Sequence, residues 1–269
     1  MNILDTHVHS NFSFDGDNSP REIIERALEL GLCALTFTDH IDVSDYYGSY
    51  YKQSELMPKG AVEIPKIITE YNDKISLGFG AELGQFMQNP ELAGQLIADF
   101  KLDFVIGSVH EVRGYRDFYY LNYNELDVPL LLELYFNEML ETAQSADIDV
   151  LGHLTYPLRY ITGNYKIAVD LNKYAEIIHE IFKVAVSRNI GLEINTSGLR
   201  KPGNMGTFPG IEHVKLFREL GGEILTIGSD AHRVSDLGAG FTDAVKIAKA
   251  AGFRQTAYFI NRKPIFIDL

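Results

Sequence analysis

Two periodicities alternate along this chain. Short apolar runs recur, and between them apolar residues return every three to four positions, the spacings of strands and of one-sided helices. The first run, Met1-Asn2-Ile3-Leu4, leads into Asp5-Thr6-His7-Val8-His9-Ser10 and predicts a strand. Asn11 to Asn18 reads as a polar loop, and Ser19-Pro20-Arg21-Glu22 as a capping box with proline at the first helical position. Ile23, Ile24, Ala27, Leu28 and Leu30 then follow at helical spacing until Gly31. Cys33 to Thr38 predicts a second strand ending at Asp39-His40, Ala61 to Asp73 a helix, and Ile75 to Ala81 a third strand ending at Glu82. The pattern repeats with a helix over Pro90 to Phe100 and a strand over Asp103 to Val109 ending at His110. Tyr115 to Tyr123 reads as a hairpin or an inserted loop. A helix over Pro129 to Ala146 precedes a short strand, Asp149 to Gly152, that ends at His153. Helices over Leu171 to Arg188 and Glu212 to Leu220 alternate with strands Gly191 to Asn195 and Ile224 to Ser229, the latter ending at Asp230-Ala231-His232. A helix from Asp236 to Ala250 and short apolar segments around Tyr258 and Ile265 close the chain.

About seven strand–helix units in succession imply a parallel sheet, and this many units favour a closed, TIM-like barrel over an open sheet. No linker or composition break interrupts them, so a single domain over residues 1–269 is expected. Hydrophobic residues make up 46% of the chain, enough to fill such a core. No run approaches the ~18 apolar residues of a membrane span, and no basic-then-apolar leader opens the chain. With Cys33 as the one cysteine, no intrachain disulfide can form, and a cytoplasmic location without a membrane partner is the expectation. A net charge of −13 without a lysine–arginine cluster argues against a nucleic-acid partner.

In barrels of this kind the chemistry sits at the carboxyl ends of the strands. His7, His9, His40, Glu82, His110, His153, Asp230 and His232 all stand there, with Asp15 in the loop after the first strand. Of the eight histidines, His179 and His213 alone fall in helical segments, as surface or packing residues. A single histidine at a strand end is more often structural than a ligand. Several converging on one face repel when protonated and waste burial when neutral, unless a metal engages their lone pairs. Nine candidate ligands exceed the roughly four to six that one first-row ion takes, so two or three divalent ions are expected. The imidazole–carboxylate mixture suits zinc, iron or manganese rather than magnesium or calcium alone. Metal-assisted hydrolysis is the natural chemistry, with Glu82 able to bridge two ions. No Gly-x-Ser-x-Gly elbow is present and Cys33 lies mid-strand, which disfavours a covalent nucleophile.

Asp5-Thr6-His7-Val8-His9-Ser10, Thr38-Asp39-His40, Gly107-Ser108-Val109-His110, Gly152-His153 and Gly228-Ser229-Asp230-Ala231-His232 together resemble the motifs of the polymerase-and-histidinol-phosphatase (PHP) family. The resemblance spans positions 5 to 232 and implies a distorted (β/α)7 barrel with a trinuclear metal centre. It assigns His7, His9, Glu82 and Asp230 to a first ion, Glu82, His110 and His153 to a second, and Asp15, His40 and His232 to a third. Some members carry histidine where Asp15 stands. Gly152 to Pro157 and Asn195 to Pro202 look like segments of the stand-alone members that hydrolyse L-histidinol phosphate in histidine biosynthesis. The substrate so implied is a small phosphorylated amino alcohol, attacked in line by a hydroxide held between the ions.

A phosphate on the metals leaves oxygens for a guanidinium fork. Arg159 and Arg200 sit on loops at the predicted active face, with Lys201, Arg116 and Arg233 weaker candidates. Arg200→Ala is accordingly expected to impair kcat/KM while leaving metal content unchanged. Asp42, Asp45, Tyr46, Tyr47, Tyr115 and Phe118 are expected to line a pocket for the imidazole and amine. Asp230, His232 or a metal-bound water would protonate the leaving alkoxide. Three other readings compete: a phosphoesterase for nucleotides or phosphotyrosine, a C–N hydrolase of amidohydrolase type, and a metal-binding module without turnover. The second often carries a carboxylated lysine on a middle strand, where this chain has His110. The third would be expected to have lost ligands.

Overall fold

The computed structural model describes residues 3–43, 56–201 and 205–269. Seven parallel strands lie side by side in chain order: β1 (Ile3–Val8), β2 (Leu32–Asp42), β3 (Ser76–Gly84), β4 (Phe104–Ser108), β5 (Val150–Leu151), β6 (Gly191–Asn195) and β7 (Leu225–Gly228). The ring closes just beyond the end of β7. Val8 and Ala231 form a parallel bridge, Asp230 N donates to His7 O at 2.8 Å, and His9 N donates to Ala231 O at 2.9 Å. Closure therefore brings the first and last predicted ligand motifs against each other. The barrel is distorted, with β5 paired to each neighbour through two residues and the β1–β2 register shifting twice.

Helices Pro20–Leu30, Met57–Tyr71, Pro90–Phe100, Val128–Ser145, Ala175–Ser187, Ile211–Glu219 and Phe241–Ala250 follow the strands, with a short one at Leu158–Ile161. The predicted capping box forms: the Ser19 hydroxyl accepts from Glu22 N, and Glu22 Oε2 accepts from Ser19 N at 2.8 Å. Ile23, Ile24 and Ala27 are buried, and Gly31 ends the helix at φ 71°. Among the described residues, no helix is long and apolar enough to cross a membrane.

Several boundaries differ from the pattern-based reading. β2 and β3 run on through His40 and Glu82, which face each other as register partners. The segment read as hairpin or loop holds two 3-10 turns, Phe118–Tyr120 and Tyr123–Glu125. The last helix starts at Phe241, because Gly238 and Gly240 (φ 67° and 78°) break the chain after a 3-10 turn at Val234–Asp236.

The closing apolar segments form an antiparallel hairpin, β8 (Gln255–Ile260) and β9 (Lys263–Asp268), turned by Asn261 and Arg262 at φ 51° and 62°. Ala257 and Phe259 pack with Phe104, Ile106 and Val150, near the strand starts. Asp103 accepts from Phe79 N at 2.9 Å and from Asn261 N at 2.8 Å; Asp149 accepts from Val105 N at 2.7 Å and from Arg262 Nε at 2.6 Å. These carboxylates pin the hairpin beneath the barrel, opposite the predicted active face.

Candidate metal centre

Strand alternation turns His7 and His9 to the same side, and closure against Ala231 holds them over the barrel mouth. Thr38 Oγ1 accepts from Val8 N at 3.0 Å, and Asp39 accepts from Ser10 N at 2.7 Å. Glu82, almost fully buried, is the hub. Its Oε1 lies 2.7 Å from His153 Nε2 and 3.0 Å from His110 Nε2, and accepts from Ser108 Oγ at 2.7 Å. Its Oε2 lies 3.1 Å from His40 Nδ1, 3.3 Å from His7 Nε2 and 3.5 Å from His9 Nε2. Asp230 Oδ1 is 3.6 Å from His9 Nε2 and 4.0 Å from His7 Nε2. Asp15 Oδ2 sits 3.0 Å from His232 Nε2 and 3.7 Å from His40 Nε2.

These separations test whether the side chains suit cations. Two ligand atoms about 2.0–2.1 Å from one tetrahedral ion lie roughly 3.3 Å apart. His7 Nε2 and His9 Nε2 are 3.1 Å apart, and His110 Nε2 and His153 Nε2 are 3.3 Å apart. Imidazole nitrogens face each other and shared carboxylate oxygens at the spacing of ligands around a common ion. His7–His9–Asp230, His7–Glu82–His153, His9–His40–His232 and His40–Asp42–His110 each place their donor atoms within 4.8 Å of one another. The donor set fits divalent cations.

The electrostatics of the cluster are mutually dependent. Burial opposes ionisation of Glu82, but His110, His7 and His40 outweigh it and hold the carboxyl well below its usual range. Burial likewise opposes charge on His7, yet Glu193 and Glu82 hold it well above an ordinary imidazole. Burial drives His9 the other way, reinforced by His232, His40 and His7. Asp15 would be raised by burial, but His40 and His232 keep it far below the carboxylate range.

All nine predicted ligands thus meet at one end of the barrel. A cavity of about 330 Å³ opens above them, walled by Asp117, Tyr119, Tyr156 and Arg159 among others. Arg159 donates to Asp230 Oδ2 at 2.8 Å and to Ser197 Oγ, and its guanidinium lies 4.9 Å above the Tyr156 ring. Arg200 is placed differently from the expectation. It donates to Ser229 O at 2.7 Å and Asp230 O at 3.2 Å, and does not line the cavity, because the loop after β6 turns it toward the β7 backbone. Arg116 is exposed over Tyr120 and Arg233 pairs with Asp17, while Lys201 is exposed. Of the expected substrate-pocket residues, Asp42 lines the cavity, Phe118 is buried in the core, and Tyr115 packs against the core instead. Asp45, Tyr46 and Tyr47 lie outside the described residues. His179 is exposed and His213 half-buried, both on helices.

Three acids to which the pattern of residues assigned no role complete the site. Glu193, fully buried within β6, has Oε1 2.6 Å from His7 Nδ1 and accepts from His153 N through Oε2 at 2.8 Å. Asp39 binds Ser10 and Ser13, and Asp5 accepts from Ser229 N and Gly238 N, both at 2.9 Å. An acidic residue inside an otherwise apolar strand was the available signal, since a buried carboxylate needs partners.

Comparison with known proteins agrees with this geometry. The family model described as the PHP domain matches residues 5–197. A histidinol-phosphatase of Lactococcus lactis is 30% identical over 98% of this chain and 96% of its own length. A probable histidinol-phosphatase of Clostridium acetobutylicum is 30% identical over 99% and 97%. The crystal structure of histidinol phosphate phosphatase from L. lactis, complexed with zinc, L-histidinol and phosphate, superposes with a TM-score of 0.80 at 28% identity, covering 98% of both chains. The motif residues, the seven-stranded ring and the matched span converge, and the chain belongs to the PHP domain family.

Proposed function

We propose that this chain is a divalent-metal-dependent phosphomonoesterase that hydrolyses L-histidinol phosphate to L-histidinol and phosphate, acting as one unit over residues 1–269. One observation carries the reading: a ring of buried imidazoles and carboxylates centred on Glu82, in a chain alike over nearly its full length to an enzyme seen with zinc, L-histidinol and phosphate. His7, His9, Glu82 and Asp230 would hold one ion, Glu82, His110 and His153 a second, and Asp15, His40 and His232 a third. Bound there, zinc, iron or manganese would supply Lewis acidity and a hydroxide nucleophile.

The protein's own groups do the rest. Arg159, tied to Asp230 and braced on Tyr156, presents the guanidinium best placed to hold phosphoryl oxygens and to meet charge developing on them. Asp230 or His232, both lining the cavity, would pass a proton to the leaving alkoxide. Phe14, Tyr119 and Tyr120 line the mouth and would offer faces to a flat ring.

Phosphate release from L-histidinol phosphate, nucleoside monophosphates and phosphotyrosine, by protein loaded with zinc or manganese, tests the reading. The first is expected to turn over fastest, with activity lost on chelation and restored by metal. Faster turnover of a nucleotide or phosphotyrosine would reassign the substrate, and bound metal without turnover would make the chain a binding module.

A further inference from the structure

β6 carries a polar column that no cavity-lining role explains. Glu193, Asn195 and Ser197 recur at a spacing of two from the middle of the strand into the turn beyond it, and all three are buried. Asn195 Nδ2 donates to Glu193 Oε2 at 3.3 Å, and Asn195 Oδ1 accepts from Ser197 N at 3.1 Å and Ser197 Oγ at 2.6 Å. Ser197 in turn takes a hydrogen bond from Arg159, which also holds Asp230. The column therefore joins the far side of His7 to Asp230 through an unbroken set of hydrogen bonds.

Its lower end determines how His7 can act. His7 Nε2 faces His9 and Glu82, and leaves Nδ1 against Glu193 Oε1 at 2.6 Å. A neutral imidazole offers a lone pair at one nitrogen only when the other carries the proton. Glu193 Oε2 is already committed as acceptor to His153 N and Asn195 Nδ2, which fixes the carboxylate in place. The backbone leaves room for the pair: a Cβ on Gly228 would stand 2.3 Å from both Glu193 Oε1 and His7 Cβ.

From this geometry we infer that Glu193 is the positioning residue of the centre, holding the proton of His7 on Nδ1 so that Nε2 presents its lone pair to a cation, while tying down the backbone of His153. A carboxylate behind a ligating histidine typically changes metal affinity by about 10–100-fold. The inference rests on the ligand role proposed above for His7.

Glu193→Gln tests it. The amide keeps the shape but cannot accept from both His7 and His153 N, so one partner loses its acceptor or His7 is driven to carry its proton on Nε2. Zinc titration of wild type and variant, with a competing chelator as indicator, is expected to show one class of site weakened about 10–100-fold. Melting temperatures of the metal-free proteins should stay close, and long-range 1H–15N spectra of the zinc-loaded protein should show His7 protonated at Nδ1 with Nε2 bearing no proton in wild type, and displaced from that state in the variant. Unchanged zinc affinity overturns the inference, as does weakening of every site together with a collapse in metal-free stability. Should Glu193→Gln fail to fold, Glu193→Asp, which withdraws the carboxylate by one methylene, decides on the same two criteria. Wild-type protein that takes up no zinc would instead remove the proposed function itself.

Discussion

Replacing Arg159 with methionine separates the roles of this side chain most clearly. The guanidinium is 12% exposed and donates to Asp230 Oδ2 at 2.8 Å. Removing one partner of a buried pair costs about 3–5 kcal/mol. Asp230 keeps His7 and His9 nearby, and methionine refills the space over Tyr156, so the lower end, about 3 kcal/mol, is expected. At roughly 2.1 cal/mol/K per residue, the 269 residues give an unfolding entropy of about 0.56 kcal/mol/K, and 3 kcal/mol lowers Tm by about 5 °C. The kinetic loss should be larger in effect. A preorganised donor aimed at developing charge is worth about 10²–10³ in kcat. Phosphate release at saturating metal, far below the melting transition, reads that loss without interference from stability. Arg159→Lys should recover part of it, since lysine keeps the charge but not the fork. Arg200→Met, acting on the carbonyls of Ser229 and Asp230, should cost less than Arg159→Met. A kcat/KM for Arg159→Met within threefold of wild type would refute the placement on phosphate. Loss of bound metal in that variant would show instead that Arg159 acts by holding Asp230.

Glu82 and Arg262 give two further expected outcomes. Glu82→Gln removes the negative charge and exchanges one of two oxygens for an amide nitrogen, so that either the side facing His110 and His153 or the side facing His7, His9 and His40 loses its acceptor. Elemental analysis should show at least one equivalent of metal lost, with phosphatase activity down by about 10²–10³, on the scale of a lost electrostatic clamp; full stoichiometry with normal turnover would contradict a bridging role. Arg262→Ala releases the hairpin from Asp147 and Asp149 at the opposite end of the barrel. Tm should fall by several degrees, reflecting roughly 2–3 kcal/mol for charge-assisted hydrogen bonds, while kcat stays within a factor of two, and a matching fall in kcat would show that the two ends are coupled.

Much of this protein can be read without coordinates. Strand–helix alternation predicts the ring, because each parallel strand needs a crossover and the period of the apolar residues reports which segment is which. The histidines and acids at strand ends predict the ligand set, because parallel strands deliver their carboxyl ends to one face. His7-Val8-His9 and Asp230-Ala231-His232 are local in sequence, so their type and spacing survive as a signal. Tertiary structure alone decided the contacts between remote segments. Glu193 lies 186 positions from His7, and a glutamate in a strand carries no mark of what it faces. Arg159 and Arg200 were equivalent as loop arginines; only the turns after β5 and β6 sent one into the cavity and the other onto the backbone. The hairpin beneath the barrel reads as two apolar segments, and its anchorage on Asp103 and Asp149 depends on where the strand starts come together. Periodicity records which face of an element is buried, whereas the partner across the core is set by closure of the whole ring.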